Sequence, residues 1–365
     1  MIKIKDIIQH LEAFAPPIYQ EPYDNAGLLT GSMEAQASGI LITLDVTEAV
    51  VEEAIARDCD LIIAHHPIIF KGLKSLTGKN YVERTILKAI RNDIAIYAIH
   101  TNLDNVHHGV NRKICEKIGL VNTSVLSPKK ETLLKLVTFV PQENEADLLE
   151  ALYASGAGNI GNYSDCSFVT KGTGSFKPNN VANPYIGKQN ERELVEEQRI
   201  EVILPVHLKN RVLQALNQSH PYEEVAYYLT ALENANQEIG AGMLGSLPEP
   251  VEPMDFLNWL KEKMSLNCIR HTAPVSRKIK KVAVCGGSGS FLLSRSIARG
   301  ADAFVSADFK YHEFFDAEDR IMIADIGHYE SEVYTKELLY EILSQKFPNF
   351  AVNLSDTVTN PISYL

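Results

Sequence analysis

The chain has 365 residues and a net charge of −11, from 35 basic and 46 acidic residues. That length allows two or three domains, and the acidic balance argues against a broad nucleic-acid surface, which draws mainly on Lys and Arg. No apolar run approaches the length of a membrane-spanning helix. The N-terminus, Met1-Ile2-Lys3-Ile4-Lys5-Asp6-Ile7, alternates charged and apolar residues and has no signal-peptide core. Cys59, Cys115, Cys166, Cys268 and Cys285 are scattered, odd in number and free of CxxC spacing, the pattern of reduced thiols. These features predict a cytoplasmic protein with no membrane partner.

The first third alternates strands and helices. Ile40 to Leu44 is a strand candidate, and Thr47 can cap a helix through Val50 and Ala54. Leu61-Ile62-Ile63-Ala64 is the next strand, and it runs straight into His65-His66-Pro67. Tyr81 to Asn92 has helical periodicity, with Ile86, Leu87 and Ile90 on one face. Ile94 to Ile99 is another strand, followed by His100-Thr101-Asn102-Leu103-Asp104. Arg112 to Ile118 reads as a helix stopped by Gly119. This β-α-β-α order implies a mostly parallel sheet with helices on its faces.

The middle has a different texture. Strands at Leu134–Val140, Arg199–Pro205 and Val225–Leu232 alternate with helices at Glu145–Ser155 and Leu208–Gln218. Glycine-rich stretches lie at Gly156–Gly161 and at Lys171-Gly172-Thr173-Gly174-Ser175-Phe176, and a compact polar motif at His220-Pro221-Tyr222-Glu223-Glu224. The order is close to β-α-β-β-α-β, a ferredoxin-like arrangement. Gly240–Gly245 and Pro248–Pro253 read as joints. Residues 129–237 are therefore expected to be an α+β insertion in an α/β body whose halves are 1–128 and 238–365.

The last third returns to the first texture. Lys281 to Cys285 is a strand leading into Gly286-Gly287-Ser288-Gly289-Ser290, and Ala303 to Ser306 is a short strand. Ile321 to Asp325 is another, and it runs into Gly327-His328-Tyr329-Glu330-Ser331-Glu332 and a helix from Ser331 to Gln345. The glycine run resembles a phosphate-cradling turn but lacks the Lys-Ser/Thr ending of a P-loop, so a tight turn explains it better.

Open α/β sheets bind ligands just past the carboxyl ends of their strands. Three such ends carry metal-type donors: His65 with His66, then Asp104, then His328 with Glu332. The i, i+4 spacing of the last pair puts both on one helix face. Singly, Asp104 serves as a helix cap and Glu332 as a first-turn acid. Together, three imidazoles and two carboxylates suit zinc, iron, manganese, nickel or cobalt and exceed what one open zinc site needs. They fit two ions bridged by a carboxylate, an arrangement that activates water for hydrolysis. Asp308-Phe309-Lys310-Tyr311-His312 lies at a further strand exit, with His312 a candidate general acid or base and Lys310 a candidate anion contact. His107 and His108 are expected at the start of the next helix, supporting the site at most.

Tyr23-Asp24-Asn25-Ala26-Gly27-Leu28, His65-His66-Pro67, Thr101-Asn102-Leu103-Asp104, Cys285-Gly286-Gly287-Ser288-Gly289 and Gly327-His328-Tyr329-Glu330-Ser331-Glu332 occur in that order. The set resembles the GTP cyclohydrolase 1 type 2 homologue family, also called Nif-three-like. The resemblance implies a dinuclear metal site on His65, His66, Asp104, His328 and Glu332, with Glu332 as the bridge. It implies two divalent ions per chain, zinc foremost, and a homohexamer built as a dimer of trimers around a cavity. It implies hydrolysis by metal-activated water of a purine nucleotide or related small substrate. The insertion resembles the PII/CutA-like modules of longer bacterial members. One departure is Ser306-Ala307-Asp308, where many members place a glycine before the acid. The alternative expectation is a metal-binding regulatory or scaffold protein whose ring and insertion sense a ligand or partner.

Overall fold

The buried runs Gly39–Thr43, Leu61–Ala64 and Ala95–Ala98 are apolar at nearly every position and lie side by side as parallel strands. Such continuous apolar runs are what a parallel sheet needs when both of its faces are covered. The computed structural model describes residues 2–365. Among them the chain divides into two compact units, 2–128 with 238–365, and 129–237.

In the first unit those three strands are flanked by Ala351–Leu354, parallel, and Gly27–Thr30, antiparallel. The helix Glu48–Ala56 is capped by Thr47, whose hydroxyl accepts from Val50 N at 3.3 Å. Asn80 caps Tyr81–Arg91: its Oδ1 accepts from Glu83 N and its Nδ2 donates to Glu83 Oε1. The helix Val110–Ile118 ends at Gly119, which takes a left-handed φ of 86°. Val50, Ala54, Ile86 and Ala89 bury the first two of these helices against Leu41, Ile62 and Ile96.

The second sheet of this unit runs Arg270–His271, Met322–Asp325, Ala303–Ala307, Ile279–Ser288, Gly240–Val251, Val121–Pro128. Its three inner strands from Met322 to Ser288 are parallel; the outer pairings are antiparallel. The body is therefore a mixed α/β fold and not the mostly parallel one expected. Two of the antiparallel pairings come from Gly240–Val251, where joints were expected at Gly240–Gly245 and Pro248–Pro253 and a strand paired on both sides is observed; Gly27–Thr30 and Arg270–His271 add the others in the two sheets. The glycines of Gly240–Val251 are packing requirements: a Cβ at Gly240 would collide with the backbone of Ser127 and Pro128 on the neighbouring strand. The helix expected over 331–345 is two helices, His328–Glu332 and Thr335–Lys346.

The second unit orders its antiparallel strands Tyr227–Leu232, Leu133–Pro141, Glu193–Pro205, Ser167–Phe176. With helices Glu145–Ala154 and Lys209–Ser219 this is the β-α-β-β-α-β order of a ferredoxin-like fold. Leu148, Leu152, Val212 and Leu216 on the helices pack on Leu136, Val140, Ile200 and Val202 of the sheet. Among the described residues no helix is long and apolar enough to cross a membrane.

Past its last strand the chain is tied to the helix Glu48–Ala56, chiefly through the Glu53 carboxylate. Glu53 accepts hydrogen bonds from the Ser355 and Thr357 hydroxyls, each at 2.6 Å, and from Asp356 N at 2.8 Å. Burial alone would raise its pKa, but these bonds outweigh it and hold the carboxyl down at about 2. Glu53→Gln is expected to lower stability at pH 7 by about 1.5–3 kcal/mol, the range for a bond to a charged group. The carboxylate contributes fully above its unfolded pKa, and its contribution fades as pH falls toward 2. Denaturant melts of both proteins at pH 7 and pH 3 should therefore show a gap that narrows on acidification.

Candidate metal centre

Parallel pairing of Leu61–Ala64 with Ala95–Ala98 sets the two strand ends beside each other, Ala64 opposite Ala98. The chain leaves one end through His65 and His66. It leaves the other through Ile99 and His100 into a short helix, Thr101–Asn105, which carries Asp104. In the second sheet, Met322–Asp325 leads through Gly327 into the helix His328–Glu332. Strand ends of two sheets thus converge within one unit.

Glu332 stands at the centre and is buried. Its Oε2 lies 3.0 Å from His66 Nε2 and 3.1 Å from His328 Nε2, and these two nitrogens are 3.4 Å apart. Its Oε1 lies 3.9 Å from His65 Nε2, which is 3.6 Å from Asp104 Oδ1. One carboxylate therefore shares its oxygens between two donor groups, His66–His328–Glu332 and His65–Asp104–Glu332. His65 Nε2 and Asp104 Oδ1 are buried and have no hydrogen-bond partner. Buried polar atoms without partners are rare and costly, and a bound cation would satisfy both.

Each imidazole is held by its other nitrogen. His65 Nδ1 donates to the Ile99 carbonyl at 2.9 Å, His66 Nδ1 to Asp45 at 2.8 Å, and His328 Nδ1 to Asp308 at 2.7 Å. Such outer bonds fix the tautomer that leaves Nε2 free for a metal. Asp45 is itself held by the Thr359 hydroxyl at 2.7 Å.

The carboxylates dominate the electrostatics. Burial opposes a charge on His66, but its bonds with Asp45 and Glu332 win and raise it to about 10. Burial opposes a charge on His328 too, and Glu332 with Asp308 raises it to about 9. Burial pushes Glu332 up, but the three imidazoles hold it well below the usual carboxylate range. Burial and the charge of Glu332 push Asp104 up. Burial also pushes the Cys285 thiol up, with the charges of Asp104 and Glu332 adding to it, so the thiol stays protonated beside the carboxylates.

Gly287 explains part of the glycine run. It has a φ of 58°, and a Cβ there would lie 2.5 Å from Glu332 Oε1. Gly286 and Gly287 lie within the strand Ile279–Ser288 and let the Glu332 carboxylate approach the backbone.

The five expected ligands thus come together. Lys310 and His312 do not join them: both are exposed, and neither lines the cavity of about 730 Å³ over the cluster. His312 stands on the 3-10 segment Tyr311–Ala317, its ring 6.3 Å from that of Phe315. His107 and His108 lie in the turn before Val110–Ile118, outside that lining. Four residues with roles at the site were not anticipated as such. Asp45 and Asp308 orient imidazoles. His100 lies with its donor nitrogen within 4.8 Å of those of His65 and His66. Asp24 accepts from His100 Nδ1 at 2.8 Å and from Thr101 N at 3.1 Å, and is held down at about 2. Burial pushes Asp24 the other way and is outweighed by these bonds.

The family model for Duf34/NIF3 (NGG1p interacting factor 3) matches residues 2–361. The chain belongs to the Duf34/NIF3 family. It is 39% identical to the "GTP cyclohydrolase 1 type 2 homolog" of Bacillus subtilis, over 99% of this chain and 98% of that one. It is 40% identical to the protein of the same name from Halalkalibacterium halodurans, over 98% of each. Among solved structures it resembles a Bacillus cereus protein related to NIF3, with a TM-score of 0.88 and 37% identity over 100% of this chain and 99% of that one. The Duf34/NIF3 fold is thereby shown for the whole described chain, and the His and carboxylate clusters could hold a metal in it.

The orientation of His66 is testable. Asp45→Asn keeps the shape but weakens the bond that aims Nε2. Divalent metal affinity is expected to fall about tenfold to a hundredfold, the usual cost of losing such a partner. Competition against a chromogenic chelator measures it; unchanged affinity would mean that Asp45 does not position a ligand.

Proposed function

We propose that this Duf34/NIF3 protein is a dinuclear metal-dependent hydrolase acting on a purine nucleotide or related small substrate. The observation that carries the proposal is the division of the Glu332 oxygens between two donor groups that otherwise share no residue. His66 and His328 would hold one ion, His65 and Asp104 the other, and Glu332 both. Two bound divalent ions, zinc foremost, would supply Lewis acidity and lower the pKa of a water.

The remaining work falls to the chain. Tyr23, Phe70 and Phe291 are exposed aromatic rings in the cavity lining, a surface on which a flat heterocycle can stack. Among the described residues no Lys or Arg lines this cavity, so a substrate phosphate would rely on the ions for neutralisation. His100 is the imidazole best placed to move a proton. Asp24 holds its Nδ1 and leaves Nε2 toward the cluster, the orienting role an acid plays beside a general base. Asp24 also holds the Thr101 backbone, so the ring and the helix bearing Asp104 are fixed together.

Elemental analysis is expected to give about two metals per chain, the count that the paired-ion arrangement requires. His65→Ala and Glu332→Ala should abolish both metal binding and turnover on a panel of GTP, other nucleotides, phosphoesters and amides. His100→Ala should keep the metals and lower turnover by about 10²- to 10⁴-fold. Full turnover by a metal-free variant would sink the hydrolase proposal.

Metal uptake should also release protons. His66 and His328, raised to about 10 and about 9, carry protons at neutral pH that a ligand nitrogen must lose. Affinity is therefore expected to rise with pH from 6 to 9. Titration calorimetry in buffers of different ionisation enthalpy counts the protons, and zero released at pH 7 would contradict this charge state.

A further inference from the structure

The insertion carries a cavity of its own, of about 660 Å³, that the metal centre does not use. One face of its sheet is covered by the two helices. Side chains alternate along a strand, so Phe139, Arg199 and Thr170, which are register partners, point to the other face. The cavity lies on that open face. Its walls collect the glycine-rich Lys171–Phe176 stretch and part of the His220–Glu224 motif.

These motifs build one buried acid. Glu197 is only 8% exposed. Tyr222 donates its hydroxyl to Glu197 Oε1 at 2.8 Å. His220, also buried, holds Tyr222 in turn: its Nδ1 accepts from Tyr222 N at 3.1 Å while its Nε2 donates to the Phe139 carbonyl at 2.8 Å. Gly174 is needed beside the acid, because a Cβ there would collide with the Glu197 carboxylate. Among the described residues Glu197 has no salt-bridge partner. The cations nearby are engaged elsewhere, Lys171 with Glu196 and Arg199 with Glu201, and Lys177 is exposed. Glu197 is thus a buried acid with a hydroxyl donor but no cationic partner, and around it stand the rings of Phe139, Phe176, Tyr185, Tyr222 and Tyr228.

We propose that this cavity binds a small organic cation, whose ammonium or guanidinium nitrogen meets Glu197 and whose carbon frame packs on the rings. A buried charge is stable when paired and hydrogen-bonded, and aromatic faces attract a desolvated cation. The site is independent of the metal centre, since every residue in it belongs to the insertion.

The test is calorimetry of the full-length protein with agmatine, tyramine and choline, and with AMP and benzoate as anionic controls. At least one cation is expected to bind with Kd below about 1 mM, with no comparable anion binding. Glu197→Gln should weaken it at least tenfold. Tyr222→Phe, which keeps the ring and loses the hydroxyl, should weaken it severalfold and carries the test if Glu197→Gln does not fold. Glu150→Gln, exposed on a covering helix, should leave it unchanged. Glu332→Ala should bind the cation normally, which separates this proposal from failure of the metal reading. No cation binding, preferential binding of AMP or benzoate, or full affinity in folded Glu197→Gln or Tyr222→Phe would overturn it.

Discussion

A single buried carboxylate organises the first unit. Glu332 can stay ionised away from water only because three imidazoles from two sheets surround it. A lone buried carboxylate would protonate instead. That need explains the rest of the neighbourhood. The helix bearing Glu332 must start at His328 to put both on one face, and the Ile279–Ser288 strand must carry glycine where the acid presses against it. The orienting acids Asp45 and Asp308 complete the balance by holding the far side of each ring.

The excess of acid over base around the cluster has a direct consequence. Asp24, Asp45, Asp104, Asp308 and Glu332 face four imidazoles, and protons on His66 and His328 offset part of that charge. Protons and any divalent cation would therefore compete for the same nitrogens. The cost of burial is sharpest in one place, between His65 Nε2 and Asp104 Oδ1, where two buried polar atoms lie 3.6 Å apart without a hydrogen-bond partner.

Much of this was legible in the sequence, and the boundary is physical. His65 and His66 announced themselves because a buried strand ends at Ala64, and His328 with Glu332 because helical spacing is local. Asp104 needed only the next strand end. Asp45, Asp24 and Asp308 act across the fold, through partners 21, 76 and 20 residues away, and no local pattern marks them as orienting groups. His100 sat in plain sight after its strand, yet its part depends on Asp24. In the fold, Ser167–Phe176 and Gly240–Val251 escaped for the same reason: glycine reads as a loop until the neighbouring strand that needs the space is known.

The strand that was missed also shows how the body tolerates its insertion. Val121–Pro128 and Gly240–Val251 are antiparallel neighbours, with Pro128 opposite Gly240. The chain leaves the sheet at residue 128 and returns beside the point of departure. A hairpin of any loop length satisfies that geometry, since closing a longer loop costs only slowly more entropy. The 109 residues between the two segments of the first unit can therefore form a second compact unit without disturbing the ladder. The metal-type donors sit at other strand ends, from Leu61–Ala64, Ala95–Ala98 and Met322–Asp325. The joint is not remote from those donors: Ala241 and Gly242, just past it, line the cavity over the cluster, so the insertion can vary in length only while this strand start keeps its place in the sheet.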